Sequence, residues 1–278
     1  ERSSLALLLR DLSKVKRVNY VAAGDEVGRI LSPLLYNNWQ PVMLTGNAGT
    51  RKTYLAYFAA AVLMLPVTVL SGSLNTNAET LLGEKEIDAE SEKVAIKHVP
   101  GILLGAIQNG GLLVFNEINQ ALPDVLSILN DILDWQKRTY VQGIGEIEVS
   151  GSFRLVATRN LGYVGTSEMN RALVDRFYDE PAEYAPKEVI KSIIEAEVPG
   201  VKGTTAEYLS QIYSRIVDRV ESGELDQDVV SVRSLIRAAE NSIIFGPKTD
   251  IIGRCLTSGI YDENTREILK EIAGAYFL

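Results

Sequence analysis

Short, mostly apolar runs alternate with segments of helical periodicity over the first two thirds of the chain. The runs are Val42–Leu44, Val67–Leu70, Leu112–Phe115 and Phe153–Thr158, and each has the length of a strand that is buried on both faces. Strands that are separated by helices pair in parallel and are covered on both sides. This pattern therefore predicts an α/β fold with a three-layer αβα core around a parallel sheet.

Helical periodicity dominates both ends of the chain. Two helices are predicted ahead of the first strand, Ser4–Val18 and Asp25–Leu35. After Pro181 the strand signals end, and Gly- and Pro-containing breaks separate four amphipathic helices, predicted over Lys187–Val198, Ala206–Val220, Val230–Phe245 and Asn264–Tyr276. We expect two domains: an N-terminal helix with the α/β core over residues 1–183, and a small all-helical lid over residues 184–278.

Two polar segments interrupt the α/β pattern. The charge-rich segment Glu84–Lys97 predicts an exposed excursion in the form of a hairpin, or a solvated loop without a role. Thr139–Ser150 alternates around Gly143 and Gly145, which predicts a second hairpin.

The turn after the first strand has the composition of a phosphate-binding loop. Residues 46–53 read GNAGTRKT, and a strongly apolar helix begins at Lys52. In such a loop the backbone N–H groups and the helix N-terminus face an anion, a lysine reaches the β/γ oxygens, and a hydroxyl can bind Mg²⁺. The predicted nucleotide-binding residues are Gly46, Asn47, Ala48, Gly49, Thr50, Arg51, Lys52 and Thr53. Because the G-x-x-x-x-G-K-[ST] pattern has glycine where Arg51 stands, a chance Gly-rich turn stays open for this segment alone.

Polar residues follow two of the predicted buried strands. Asn116 and Glu117 come directly after Leu112–Phe115, and Asn160 ends the FRLVATRN segment. Ligands of parallel sheets bind beyond the carboxyl ends of the strands. We therefore expect Glu117, Asn160 and the loop to share one edge of the sheet.

Composition narrows the classes of protein and of site. With one cysteine and one histidine among 278 residues, a disulfide framework and a Cys/His zinc site within one chain are excluded, and a cytoplasmic protein is predicted. The net charge of −8 disfavours a broad nucleic-acid-binding face. The longest apolar stretch, Tyr54–Leu70, contains Pro66 and is too short for a membrane span, so a buried helix and strand are expected there.

Five motifs in order resemble the AAA+ ATPases, specifically the MoxR-like branch that includes CbbQ, NorQ and GvpN, with dynein and midasin modules as more distant relatives. The motifs are GNAGTRKT, LLVFNEIN, FRLVATRN, GYVGTSEMNRALVDRF and SVRSLIRAAE. They are similar to the Walker A loop, the Walker B strand, the sensor-1 strand, the segment ending in A-L-x-D-R-F and the sensor-2 helix.

The resemblance implies a role for each matching residue. Lys52 would bind the β/γ-phosphates, and Thr53 with Asn116 would hold the metal. Glu117 would activate the attacking water and Asn160 would position it. Arg176 would act on the nucleotide of a neighbouring subunit, and Arg233 would reach the γ-phosphate from the lid; taken alone, each of these two could be an ordinary surface arginine. The chain departs from the family at Arg51, in place of glycine, and at Asn116, in place of aspartate.

The function implied is ATP-driven remodelling of a protein partner, with ATP and Mg²⁺ as cofactors. The family assembles into rings, so a homo-oligomer, a hexamer, is expected, with a von Willebrand A domain protein as a possible co-chaperone. Because both departures weaken nucleotide and metal binding, hydrolysis is expected to be slow. The alternatives are an inactive scaffold or regulatory subunit and, less favoured by the charge, a nucleic-acid motor.

Overall fold

The structure, a computed structural model, describes residues 18–36, 39–88, 95–142, 144–161 and 169–277. The predicted helix Ser4–Val18 therefore lies almost wholly outside the described residues. The chain divides into two compact units. The first contains Glu26–Gly46 and Lys52–Pro181, and the second contains Asn19–Asp25, Asn47–Arg51 and Ala182–Leu278. The predicted boundary between residues 183 and 184 stays a prediction.

Nine strands are found among the described residues, all in the first unit. They are β1 Val42–Gly46, β2 Val67–Ser71, β3 Gly83–Asp88, β4 Ala95–Pro100, β5 Gly111–Asn116, β6 Arg138–Val141, β7 Gly145–Glu148, β8 Phe153–Asn160 and β9 Tyr178–Pro181. Five of them form one parallel sheet in the order β2-β5-β8-β1-β9. The predicted parallel sheet is confirmed.

The register of the sheet brings the polar strand ends together. Gly46 of β1 lies beside Asn160 of β8, and Ser71 of β2 lies beside Asn116 of β5. The interiors of β1 and β5 are fully buried, since every residue of both strands except Asn116 is buried. The apolar runs thus fix the strands in the core, and the polar residues that follow them emerge at one edge.

The first unit has eight helical segments among its described residues. They are α1 Glu26–Leu35, α2 Lys52–Val62, α3 Ala78–Leu82, α4 Ile102–Asn109, a 3₁₀ turn Ile118–Gln120, α5 Pro123–Leu126, α6 Ile128–Ile132 and α7 Arg171–Val174. We predicted a single helix over residues 123–135, and the structure instead has two short helices there, α5 and α6. At the division the Ser127 hydroxyl donates to the Asp124 carbonyl, 2.6 Å away.

Both polar insertions are antiparallel hairpins. β3 pairs with β4, so the hairpin predicted for Glu84–Lys97 extends over its described residues, and β6 pairs with β7. His98, the histidine of the chain, is part of β4, where a ring nitrogen lies 3.0 Å from the Leu82 carbonyl oxygen. Strand pairing with Lys85 explains this placement.

The edge strand β9 has no apolar run to announce it. Its sequence is YDEP, and it exists because it pairs in parallel with β1, with Val42 opposite Tyr178. The buried carboxylate of Glu180 accepts a hydrogen bond from Arg29 Nε of α1 at 2.7 Å. Tertiary pairing therefore makes this strand.

The second unit is helical and has its own apolar core. Its helices are α8 Lys187–Glu197, α9 Gly203–Glu221, α10 Val232–Phe245, α11 Thr249–Leu256 and α12 Glu263–Gly274, with a 3₁₀ turn Gln227–Val229. Four match the predicted helices, whereas α11 was not predicted. It is a two-turn helix that buries Ile252 and Leu256, and so short a segment gives little periodic signal. In the described part of the chain, no helix is long and apolar enough to cross a membrane.

Candidate functional site

Lys52 belongs to the phosphate loop (residues 46–53) and is the first residue of α2. Its Nζ donates to the Gly46 carbonyl oxygen at 2.9 Å, and the residue is only 6% exposed. Burial lowers the pKa of Lys52 to about 8, although the nearby Glu117 carboxylate opposes the shift. Burial disfavours the protonated form of Lys52. An anion bound next to the ammonium would stabilise that form, so this position at the end of β1 favours anion binding.

Thr53 and Asn116 meet at the same edge. The Thr53 hydroxyl donates to Asn116 Oδ1 at 3.1 Å. Thr53 comes from the first turn of α2 and Asn116 from the last position of β5. The two residues predicted from sequence to hold the metal are therefore in direct contact, and both offer neutral oxygens.

Glu117 follows β5 in a left-handed backbone conformation, with φ 51° and ψ 45°. Its backbone N–H donates to the Thr158 hydroxyl at 2.9 Å, and its Oε1 accepts from Asn160 Nδ2 at 3.2 Å. A left-handed conformation costs a non-glycine residue about 1 kcal/mol or more. Two strands, β5 and β8, thus jointly fix the predicted base and the predicted water-positioning residue against one another.

Three residues of this cluster were not predicted. Thr158 anchors the backbone of Glu117, Asn119 Nδ2 donates to the Asn160 carbonyl at 2.9 Å, and Gln120 Nε2 donates to Glu117 Oε2 at 2.5 Å. The polar sequence N-E-I-N-Q after a buried strand was the available signal for Asn119 and Gln120. No sequence feature marked Thr158, because a threonine within a buried strand is ordinary.

The middle of the phosphate loop, Asn47–Arg51, belongs to the second unit. The Thr50 hydroxyl donates to the Asn47 carbonyl at 2.9 Å. Gly49 has φ +79°, and a Cβ on it would lie 2.3 Å from the Val230 carbonyl oxygen. Only glycine fits there, both for its dihedral angle and for the close approach of the two backbones.

The Arg51 side chain contacts the N-terminal segment Asn19–Asp25. Its NH1 donates to the Val21 carbonyl at 2.8 Å, and its guanidinium carbon lies 5.0 Å from the centre of the Tyr20 ring. The residue has φ 60°, which explains why the motif places glycine at this position. Arginine therefore adopts the backbone conformation of the missing glycine, and its side chain contacts protein groups.

The two predicted cationic residues outside the loop lie in different units. Arg176, in the first unit, donates to the Ala172 carbonyl at 2.6 Å and forms an ion pair with Asp134 at 3.5 Å. Arg233, in the second unit, is exposed in the first turn of α10, a helix whose N-cap is Ser231. The cluster in the first unit thus unites Gly46, Lys52, Thr53, Asn116, Glu117 and Asn160, whereas Arg176 pairs with Asp134.

Comparison with known families identifies the core. Residues 41–177 match the family described as AAA domain (dynein-related subfamily). The Bacillus subtilis protein "Uncharacterized protein YojN" is 28% identical over 237 residues, which cover 85% of this chain and 78% of that protein. A Staphylococcus haemolyticus protein, also named as uncharacterized, is 29% identical over 238 residues, covering 85% and 90% of the two chains.

Solved structures share the fold. A mutant of Thermotoga maritima RuvB is similar with a TM-score of 0.57 and 17% identity, over 92% of this chain and 78% of that one. A structure described as the Thermotoga maritima RuvB Holliday junction branch migration motor gives 0.54 and 20%, over 91% and 76%. The sheet order and the helical region that follows it are AAA+-like, and AAA domains in general bind nucleotides. Residues 41–177 are thus similar to AAA domains of the dynein-related subfamily, and the fold is AAA+-like.

Proposed function

We propose that this protein binds ATP with Mg²⁺ and hydrolyses it slowly to remodel a protein partner, as a MoxR-like AAA+ ATPase. The observation that carries the proposal is the hydrogen-bonded cluster at the edge of the sheet. It joins a buried lysine, a hydroxyl, and a carboxylate held by an amide. An anion-binding cation, a metal ligand and a general base are the groups that phosphoryl transfer to water needs.

Lys52 would hold the β/γ-phosphates. Its ammonium is buried, so an ionic contact with phosphate oxygens is screened little by water. The Gly46 carbonyl that it contacts, at 2.9 Å, would exchange for phosphate when nucleotide binds. This exchange replaces a neutral acceptor by a charged one, which strengthens the hydrogen bond.

Thr53 and Asn116 fit Mg²⁺, but with little charge. Their side-chain oxygens lie 3.1 Å apart, and Mg²⁺ takes oxygen ligands from protein, phosphate and water. Among the described residues, no group of three or more His, Cys, Asp and Glu side chains could hold a metal ion. When bound, Mg²⁺ neutralises charge that develops on the phosphate oxygens. Without the usual aspartate the ion is held weakly, which supports slow turnover.

Glu117 would take the proton of the attacking water. Its carboxylate accepts from Asn160 at 3.2 Å, so the same amide could orient a water molecule at the carboxylate. Carboxylate and amide come from neighbouring parallel strands, which keeps their separation constant.

We further propose that the protein works as a homo-oligomeric ring, a hexamer, in which Arg176 acts on the nucleotide of the next subunit. The ion pair with Asp134 is 3.5 Å long, with side chains 31% and 37% exposed, and such pairs contribute about 1 kcal/mol or less, so a phosphate could displace the carboxylate. Arg233 would act from the helical unit. The partner would be a protein, with a von Willebrand A domain protein as a candidate, and the resemblance to MoxR-like proteins supports this choice.

ATP turnover tests the proposal. We expect Lys52→Ala and Glu117→Gln to reduce turnover at least about 100-fold, because each removes a group that interacts with the reacting phosphate or water. The exposed residues Lys248 and Glu79 provide matched controls, Lys248→Ala and Glu79→Gln, which should leave turnover unchanged. Equal rates in the wild-type protein and both site variants would contradict the proposal.

A second candidate is a scaffold or regulatory subunit that keeps the fold without the chemistry. Arg51 and the uncharged Asn116 favour it. Calorimetric titration with ATP and Mg²⁺ separates the two, because absent binding leaves only the scaffold. A nucleic-acid motor is less favoured, since the net charge is −8 and the likeness to RuvB concerns the fold alone.

A further inference from the structure

Gln120 contacts Glu117 at two points. Its side-chain Nε2 donates to Glu117 Oε2 at 2.5 Å, and its backbone N–H donates to the Glu117 carbonyl at 2.8 Å. Both contacts arise because residues 118–120 form a 3₁₀ turn that starts from Glu117. The short turn places the side chain of its third residue over the carboxylate three positions earlier.

The remaining polar groups of Glu117 are also held. Its N–H donates to Thr158, and Oε1 accepts from Asn160. Its carbonyl is packed against Gly72, where a Cβ would come within 2.2 Å of the carbonyl oxygen. Gln120 therefore completes a set of contacts in which each carboxylate oxygen accepts one amide N–H.

An ionised carboxylate has about four lone-pair sites. One amide on each oxygen uses two of them and leaves two for water. The contacts consequently fix the direction of the carboxylate while it keeps its capacity to accept a proton. Without Gln120 only Asn160 would orient it, and the side chain could rotate about its terminal bonds.

We propose that Gln120 is a positioning residue for Glu117: its amide aligns the carboxylate with Asn160, so that both face one water molecule. The kinetic part of this inference rests on the proposed ATPase function. The contact itself does not, because it is present in the protein without nucleotide.

The contact is tested by thermal unfolding of nucleotide-free protein in a double-mutant cycle. The variants are Gln120→Met, which keeps the length of the side chain and lacks the amide, Glu117→Ala, and the double variant. We expect Gln120→Met to lower Tm in the wild-type background and to have a much smaller effect in the Glu117→Ala background. Equal shifts in both backgrounds overturn the assignment of Gln120, whatever the turnover.

The kinetic role is tested by kcat and KM for ATP. Because a misplaced catalytic group reduces the rate more than the binding, Gln120→Met should lower kcat about tenfold or more and change KM less than about twofold. Gln120→Arg supplies a new N–H donor and should restore part of kcat. In the helical unit, Gln211 donates to Glu207 at 3.0 Å, so Gln211→Met is a matched control that should keep the wild-type kcat.

An unchanged or raised kcat in Gln120→Met overturns the positioning role. A wild-type protein without turnover refutes the proposed function instead, and the unfolding cycle still decides the contact. The two failures are thus distinguishable.

Discussion

The two positions at which the chain departs from the AAA+ motifs that it resembles differ in what their side chains contact. Asn116 stays within the cluster, where its Oδ1 accepts from Thr53 at 3.1 Å. The Arg51 side chain, in the second unit, instead contacts the Val21 carbonyl and the Tyr20 ring. Asn116 thus alters the charge available for metal binding, whereas Arg51 links the loop to the segment before α1.

The difference shows that a departure from a motif has consequences that depend on where the new side chain points. The left-handed backbone at residue 51 is kept, with φ 60°, so the loop conformation tolerates arginine at a cost of about 1–2 kcal/mol. A hydrogen bond from a charged donor and a cation–π contact offset this cost. At Asn116 no backbone strain is involved. Compared with the aspartate that the family has at this position, asparagine lacks one negative charge.

The largest effect is expected at Lys52, the cation next to Arg51. Lys52→Met should weaken ATP binding about 100-fold or more, near 3 kcal/mol, because charge-assisted hydrogen bonds to phosphate are lost. Isothermal calorimetry measures this, with the exposed Lys248→Met as control. Nucleotide-free Lys52→Met should at the same time be more stable than wild type at neutral pH, since the buried ammonium is removed.

A smaller effect is expected from restoring the charge at Asn116. Asn116→Asp should raise the affinity for Mg²⁺ in the presence of ATP roughly 30-fold, about 2 kcal/mol, since a carboxylate attracts the ion and the Thr53 hydroxyl can still donate to it. Turnover measured against Mg²⁺ concentration gives the shift. Asn130→Asp, on α6, provides an amide-to-carboxylate control that should leave the Mg²⁺ dependence unchanged. An unaltered Mg²⁺ dependence in Asn116→Asp would remove Asn116 from the metal site.

Next in size is the pH dependence that the low pKa of Lys52 implies. In the folded protein this pKa is about 8, against 10.5 ordinarily, so the free protein loses the charge as pH rises through about 8. ATP favours the protonated form, and its affinity should fall about tenfold from about pH 7 to about pH 9. Lys52→Arg keeps its charge, and its affinity should vary little over this range.

The same pKa also determines the sign of a stability effect. Burial of the ammonium lowers the free energy of unfolding. This loss is fully present below about pH 8 and disappears towards pH 10.5, where the unfolded chain also loses its proton. The stability advantage of Lys52→Met should therefore shrink across this window. A constant difference between the two proteins would contradict the lowered pKa.

The smallest effect separates two variants of Arg51. Arg51→Ala should destabilise the protein by about 2–3 kcal/mol, because it loses the bond to Val21 and the contact with Tyr20 while the backbone strain remains. Arg51→Gly should be about 1 kcal/mol more stable than Arg51→Ala, since glycine adopts φ 60° readily.

Urea unfolding measures the two Arg51 variants against Arg254→Ala. The Arg254 side chain is 80% exposed, and its ion pair with Asp250 should contribute less than about 0.5 kcal/mol. If Arg51→Gly were the most stable of all the proteins, including the wild type, the contacts with Val21 and Tyr20 would contribute less than the relief of the backbone strain.

Much of the sheet could be predicted because its central strands are buried on both faces. A run such as Leu112–Phe115 has few alternatives in a soluble α/β pattern. The edge strand Tyr178–Pro181 could not be predicted, since its polar residues form a strand only beside β1. Helix α11 was not predicted either, because its eight residues show too little periodicity to distinguish it from a loop.

The sequence predicted some members of the cluster but none of its contacts. Lys52, Glu117 and Asn160 follow strands, so their common edge was an expectation from parallel pairing alone. The second amide on the carboxylate, from Gln120, depends on the 3₁₀ turn. The pairing of Arg176 with Asp134 brings together residues from the segments after α7 and after α6, which no local pattern links.

By itself, the order of apolar runs and polar strand ends determined the parallel sheet, the edge that carries the chemistry, and the residue types present there. Only the tertiary structure decided where each side chain points: Arg51 to a carbonyl of the N-terminal segment, Gln120 to a carboxylate. Burial follows the period of a helix or strand, so it appears in the sequence as a pattern of apolar and polar residues. A hydrogen bond depends on angles and distances between residues that the periodic pattern does not encode.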